Sequence, residues 1–340
     1  MNKTIFIVDD SDVNLSVAER GLENYYNVIT IPSGQGLFRM LEKLIPDLIV
    51  LDILMPQMDG FQVLERLKAI DEYKDIPIIF LTGVSNERTE IQGFQMGAVD
   101  FIHKPFSIPV LLNRINLHLN VAGVIKDRTK ALENAHRSLL FVLSDIIESR
   151  DKGTGGHVFR TTQYVLALIK AMRRQGVYAE EMEDWDIHDV AHCAALHDVG
   201  KITIADSILN KPGKLSIEEF TEMKNHASSG AHIIDRIINR TGEDKFLRDS
   251  RIFAEYHHEN WDGTGYPHGL KGEEIPLLGR ILAIADVYDA LVTARSYKKP
   301  FTDEEATKIM MEEKGKKFDP RIADVFYSIR EKFVEIHQQA

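Results

Sequence analysis

The chain has 340 residues, 44% hydrophobic and 27% charged, with a formal net charge of −11 and one cysteine. That length exceeds one ordinary core and predicts two or three domains, while the acidic balance argues against a broad nucleic-acid surface, which needs a basic face. Cys193 alone excludes an internal disulfide framework; a small buried thiol in a reducing compartment is expected.

The opening MNKTIFIVDD reads as a strand, and no run of eighteen apolar residues follows, so neither a signal peptide nor membrane insertion is expected and the cytoplasm is the predicted location. Short apolar runs at 3–8, 47–51 and 77–81 (TIFIVD, DLIVLD, PIIFLT) alternate with amphipathic helical segments, the pattern of an α/β doubly wound parallel sheet. Such sheets place their chemistry at the carboxyl ends of the strands. Asp9, Asp10, Asp52, Thr82 and then Lys104 before Pro105 fall there. Each aspartate alone reads equally well as a helix cap. Together they would repel without a divalent cation such as Mg²⁺, and Asp52 could then accept a phosphoryl group whose oxygens Thr82 and Lys104 bind. With LDILMPQMDG and FIHKPF in order, residues 1–122 resemble the receiver domain of two-component response regulators. The resemblance implies a flavodoxin-like fold, phosphorylation of Asp52 by a cognate sensor histidine kinase, and Mg²⁺ on Asp10 and Asp52 beside Asp9. It also implies a Thr82–Phe101 switch pair and a cis bond before Pro105.

Residues 123–147 hold no proline and no glycine after Gly123. Val121, Arg128, Ala135 and Val142 form one heptad row and Ile125, Leu132, Leu139 and Ile146 the other, interrupted only by Arg128. A long linker helix with a homodimerising face is expected; packing on a neighbouring domain is the alternative. No helix-turn-helix pattern or basic stripe suggests direct DNA binding.

Residues 148–340 read as all helical and hold ten of the thirteen histidines. His197 and Asp198, in ALHDVGK, can share an ion only where the helix ends, and Gly200 suggests such an end. The other candidates are His157, His226, the pair His257 and His258, and Asp286; imidazole with carboxylate favours Fe, Mn, Zn, Ni or Co. His188, His192, His232, His268 and His337 are read as ordinary surface or core histidines. HDVGK, KPGKL, HHENWDGTGYPHGLKGEEIP and RILAIADVYDAL, in that order, closely resemble the HD-GYP subgroup of HD-domain phosphohydrolases.

That resemblance implies a metal-dependent phosphodiesterase acting on cyclic di-GMP, giving pGpG and in some cases GMP. Two divalent ions, Fe or Mn first, are expected about 3.5–4 Å apart. One would draw on His157, His197 and Asp286, the other on His226, His257 and His258, with Asp198 bridging. Lys201 would reach a phosphate oxygen, Arg295 and Lys298 the second phosphate. In the loop, glycines including Gly265 would let the backbone approach the ligand, while Tyr266 and Pro267 pack on a base or hold the loop's shape. Some members hold a third metal through a glutamate four residues before the first histidine. Here that position is Gly153, and Asp151 is poorly placed to substitute. Two readings stand beside this one: a sensor that binds cyclic dinucleotide without turnover and signals through protein partners, and a hydrolase of another dinucleotide such as cyclic GMP–AMP.

Overall fold

The computed structural model describes residues 3–83, 87–150, 156–293 and 299–339. They fall into two compact units, Met1–Leu132 and Glu133–Ala340.

In the first unit, five parallel strands, β1 (Thr4–Val8), β2 (Asn27–Ile31), β3 (Leu48–Asp52), β4 (Ile78–Thr82) and β5 (Asp100–His103), lie in the order β2-β1-β3-β4-β5. The helices between them are α1 (Asp12–Leu22), α2 (Gly34–Leu41), α3 (Gly60–Lys68) and α4 (Glu87–Gln95). The three foreseen strands form the centre, where burial on both faces produces continuous apolar runs. β2 and β5, not foreseen, are the edges. In β2 (NVITI) only Ile31 is buried, and β5 carries Asp100 and the exposed His103, so neither displays the apolar signature. The sheet is covered on both faces: Phe6, Val8, Leu51 and Phe80 anchor one core, and Ile5, Ile7, Val50 and Leu81 the other.

Helix α5 runs unbroken over Ile108–Ser149. Its first turns bury Leu111 and Ile115 in the second of those cores. Val121, Ile125, Leu132, Leu139, Val142 and Ile146 are then each 48–62% exposed. Among the described residues α5 alone is long and apolar enough to cross a membrane by length and composition, with 11% of that window buried; its polar Asn113, Arg114 and Asn116 agree with the lack of an uninterrupted apolar run.

The second unit is helical: α6 (His157–Gln175), α7 (Ile187–Cys193), α8 (Asp206–Leu209), α9 (Ile217–Thr241), α10 (Lys245–Tyr256), α11 (Leu277–Val292), α12 (Asp303–Glu312), α13 (Pro320–Ser328) and α14 (Arg330–Gln339). ILAIA in α11 is apolar all round and the preceding Arg280 is paired with Asp319 at 2.9 Å, so the helix is buried on nearly every side. Tyr288 of α11, edge-on to Tyr164 at 5.4 Å, to Phe326 at 5.6 Å and to Phe333 at 5.1 Å, knits it to α6, α13 and α14. Cys193 is buried in this core.

Candidate metal centre

The seven proposed ligands arrive from separate elements. His157 opens α6, His226 lies within α9, His257 and His258 follow α10, and Asp286 lies within α11. After α7 the chain tightens into 3₁₀ turns over Ala194–Leu196 and Val199–Thr203, presenting His197 and Asp198 between them. The helix does end where expected, but Gly200 serves differently: it is not left-handed, and a Cβ there would stand 1.9 Å from the His226 carbonyl oxygen. Glycine lets this turn lie against α9, bringing Asp198 to His226.

Four imidazoles have their Nδ1 engaged: His157 with Asp289 Oδ2 at 2.7 Å, and His197, His226 and His257 with the carbonyls of Ala194, Met223 and Phe253 at 2.8, 2.7 and 2.9 Å. Donation from Nδ1 leaves the Nε2 lone pairs facing inward. The Nε2 atoms of His157 and His197 are 3.4 Å apart, those of His226 and His257 3.4 Å, and those of His226 and His258 3.2 Å. Lone pairs so close repel unless a cation lies among them, so this donor set fits divalent metal. Asp198 stands between the groups, with Oδ2 3.3 Å from His197 Nε2 and Oδ1 3.3 Å from His226 Nε2. Asp286 Oδ1 is 3.5 Å from His157 Nε2. The Lys201 ammonium lies 2.7 Å from Asp198 Oδ2.

Electrostatics divides the cluster. Burial brings His257 down to about 3 and, with its neighbours His257 and His226, lowers His258, favouring the neutral, ligating form. His197 goes the other way: burial opposes its charge, but Asp198 outweighs that and holds it near 9.

Three acidic residues of this region were not foreseen. Asp289, one turn beyond Asp286 and 1% exposed, receives His157 Nδ1 and the Arg160 guanidinium. Glu148, in the last turn of α5 and 3% exposed, has Oε1 3.6 Å from His157 Nε2. Glu259, from HHE, is a fastener: its oxygens accept from the backbone N–H of His268, Gly269 and Leu270 at 2.7, 3.2 and 3.0 Å, pinning the glycine-rich loop. Glycine at 265 lets the loop fold back on itself, since a Cβ there would meet Asn260 N at 2.2 Å. Tyr266 lies against His258, ring centroids 4.7 Å apart, ahead of Pro267. His188, His192, His232 and His268 are exposed and His337 half-buried, in keeping with their ordinary reading. Asp151, Gly153, Arg295 and Lys298 lie outside the described residues.

At the carboxyl edge of the sheet, Asp9, Asp10 and Asp52 offer oxygens within 4.8 Å of one another. Lys104 Nζ bridges Asp9 and Asp52 at 2.7 and 2.6 Å, after which the chain takes a cis bond to Pro105. Burial raises the Asp52 carboxyl despite Lys104. Thr82 is buried at the end of β4. Phe101 is buried too, its ring 5.3 Å from Phe80 and 5.0 Å from Phe94.

Residues 5–116 match the response regulator receiver domain family and residues 141–322 the HD domain family. Across 99% of this chain and 80% of its own length, a Vibrio cholerae protein named "Probable cyclic di-GMP phosphodiesterase" is 38% identical. The chain belongs to the response regulators of the cyclic di-GMP phosphodiesterase family. Another relative of this response regulator, "Cyclic di-GMP phosphodiesterase response regulator RpfG" of Xanthomonas campestris, is 35% identical over 85% of the chain and 77% of its own length. "3'3'-cGAMP-specific phosphodiesterase 2" of Vibrio cholerae is 38% identical over 60% of the response regulator and 37% of its own length.

Proposed function

We propose that this response regulator is a metal-dependent phosphodiesterase that opens cyclic di-GMP to linear pGpG under the control of Asp52 phosphorylation. The observation that carries the reading is Asp198, its two oxygens facing two separate groups of inward imidazoles, with Lys201 beside it. Two divalent ions held there, Fe or Mn before Ni, Co or Zn, would acidify water near neutral pH and offset charge developing on phosphate. His157, His197 and Asp286 would hold one, His226, His257 and His258 the other, and Asp198 both. The Lys201 ammonium binds a nonbridging phosphate oxygen, Tyr266 and Pro267 border the substrate, and Arg295 and Lys298 take its second phosphate. With glycine at 153, no ligand for a third ion comes from that position, so hydrolysis stalls at pGpG.

Purified protein with Mn²⁺ or Fe²⁺ is expected to convert cyclic di-GMP to pGpG and to contain two ions per chain by elemental analysis. Tight binding without turnover would instead establish a sensor acting through protein partners, and three ions per chain would overturn the two-metal reading. The identity shared with the cGAMP-specific enzyme favours a second reading, hydrolysis of cyclic GMP–AMP, which faster cleavage of that dinucleotide would establish.

For control, a sensor kinase phosphorylates Asp52 beside Mg²⁺ in the cytoplasm; Thr82 and Lys104 bind the added charge and the Phe101 region responds. The exposed apolar row on α5 supports a homodimer through which the change is passed on. Beryllofluoride is expected to change dimerisation or hydrolysis in the wild type and leave Asp52→Asn unaffected. Identical responses would reduce the receiver to a passive platform.

A further inference from the structure

Every ligand proposed so far comes from residues at or beyond His157, yet a further carboxylate reaches the same place from before it. Glu148 closes α5, whose last turns lie within the second unit and bury Ser144 and Glu148, one turn apart, while its apolar row is exposed. The segment is fastened there: Arg150 donates to the Ile202 and Ile204 carbonyls at 3.3 Å each and to Asp206 Oδ1 at 2.7 Å, and its own carbonyl accepts from Asn210 Nδ2 at 2.9 Å. These contacts lie on and just after the turn that carries Asp198 and Lys201. Glu148 Oε1 therefore stands 3.6 Å from His157 Nε2, the nitrogen that also faces His197 at 3.4 Å and Asp286 at 3.5 Å.

We infer that Glu148 is a ligand of the metal centre, completing the site formed by His157, His197 and Asp286. The inference rests on the metal-centre reading above. The geometry supports it, and so does the cost of burial: a buried carboxylate is unfavourable unless positive charge compensates it, and Glu148, 3% exposed, faces imidazoles that are themselves wanted neutral for ligation.

The consequence is an asymmetric pair of sites. With Glu148, one site has two imidazoles and the carboxylates Glu148, Asp198 and Asp286; the other has three imidazoles and shares only Asp198. Oxygen-rich donors favour the harder ions such as Mn²⁺, and the imidazole-rich site suits Zn²⁺, Co²⁺ or Fe²⁺. Glu148 also supplies a carboxylate to His157 where Gly153 cannot, through another element and without a third ion.

The test is Mn²⁺ titration of the full-length, chelator-stripped protein, with elemental analysis of the reloaded form. Glu148→Gln is expected to bind one of its two ions about 10–100-fold more weakly and to retain the other, while its metal-free form melts no lower than metal-free wild type. Glu148→Asp, which keeps the charge but shortens the reach by one methylene, should weaken the same ion and decides the matter if the glutamine variant does not fold. Asp198→Ala serves as the reference and should lose both ions. If it loses both while the Glu148 variants bind Mn²⁺ like wild type, Glu148 is not a ligand; if Asp198→Ala keeps both, the metal-centre reading itself fails.

Discussion

Asp198→Ala is expected to abolish hydrolysis of cyclic di-GMP and to strip both ions, whereas His192→Ala, one turn earlier, should leave rate and metal content near wild type. Asp198 brings its two oxygens to both imidazole groups, at 3.3 Å on each side. It also receives Lys201 at 2.7 Å and is the charge that holds His197 protonated near 9 in the metal-free state. Its own carboxyl lies well below the usual range: burial opposes this, but Lys201 and His197 prevail. Truncation removes a shared ligand and the anchor of Lys201 together, so the loss should exceed the ~10–100-fold typical of an outer partner of a ligand and reach ~10³-fold or more. His192 is exposed and hydrogen-bonds the His188 carbonyl at 2.7 Å. Initial rates and elemental analysis of both variants check this, with circular dichroism confirming that each is folded. Equal losses in the two would show that the ligand set is misassigned.

Which residues could be found from sequence follows from what each contributes. The central strands were legible because a strand buried on both faces must be apolar throughout, whereas β2 and β5, at the sheet's edges, carry polar residues at or near their ends. His197, Asp198, His257 and His258 stand in motifs whose neighbours are as distinctive as the residues themselves. Glu148 gave no such signal, since a glutamate on a charged helix reads as a solvated face; only its place one turn after Ser144, off the exposed apolar row, sets it apart. Asp289 did carry a signal that went unused. In RILAIADVYDALV the helix has no polar face, so an acid at either 286 or 289 must be buried and therefore paired. The roles of Gly200 and Gly265 were beyond reach, because both depend on backbone segments distant in sequence or folded back across a turn.

Asp289→Ala is expected to destabilise the protein by about 3–5 kcal/mol, the cost of removing one partner from a buried ion pair, and separately to weaken metal binding about 10–100-fold by freeing the ring of His157. The carboxylate is 1% exposed and makes short contacts with His157 Nδ1 at 2.7 Å and with Arg160 at 2.6 and 2.9 Å. Burial would raise it, but His157 and Arg160 hold it near 2. A depressed carboxyl stabilises the fold above its unfolded value of about 3.9 and loses that contribution as pH falls toward the folded value, so measurements at pH 7 read the full effect. The two losses can be separated, because Arg160 is also buried, at 5% exposure, and replacing a whole buried pair by apolar groups is often neutral. Asp289→Leu combined with Arg160→Met should recover most of the stability in urea unfolding while Mn²⁺ affinity stays low, since His157 still lacks its acceptor. Recovery of metal affinity together with stability would show that Asp289 acts only through the fold and does not orient His157.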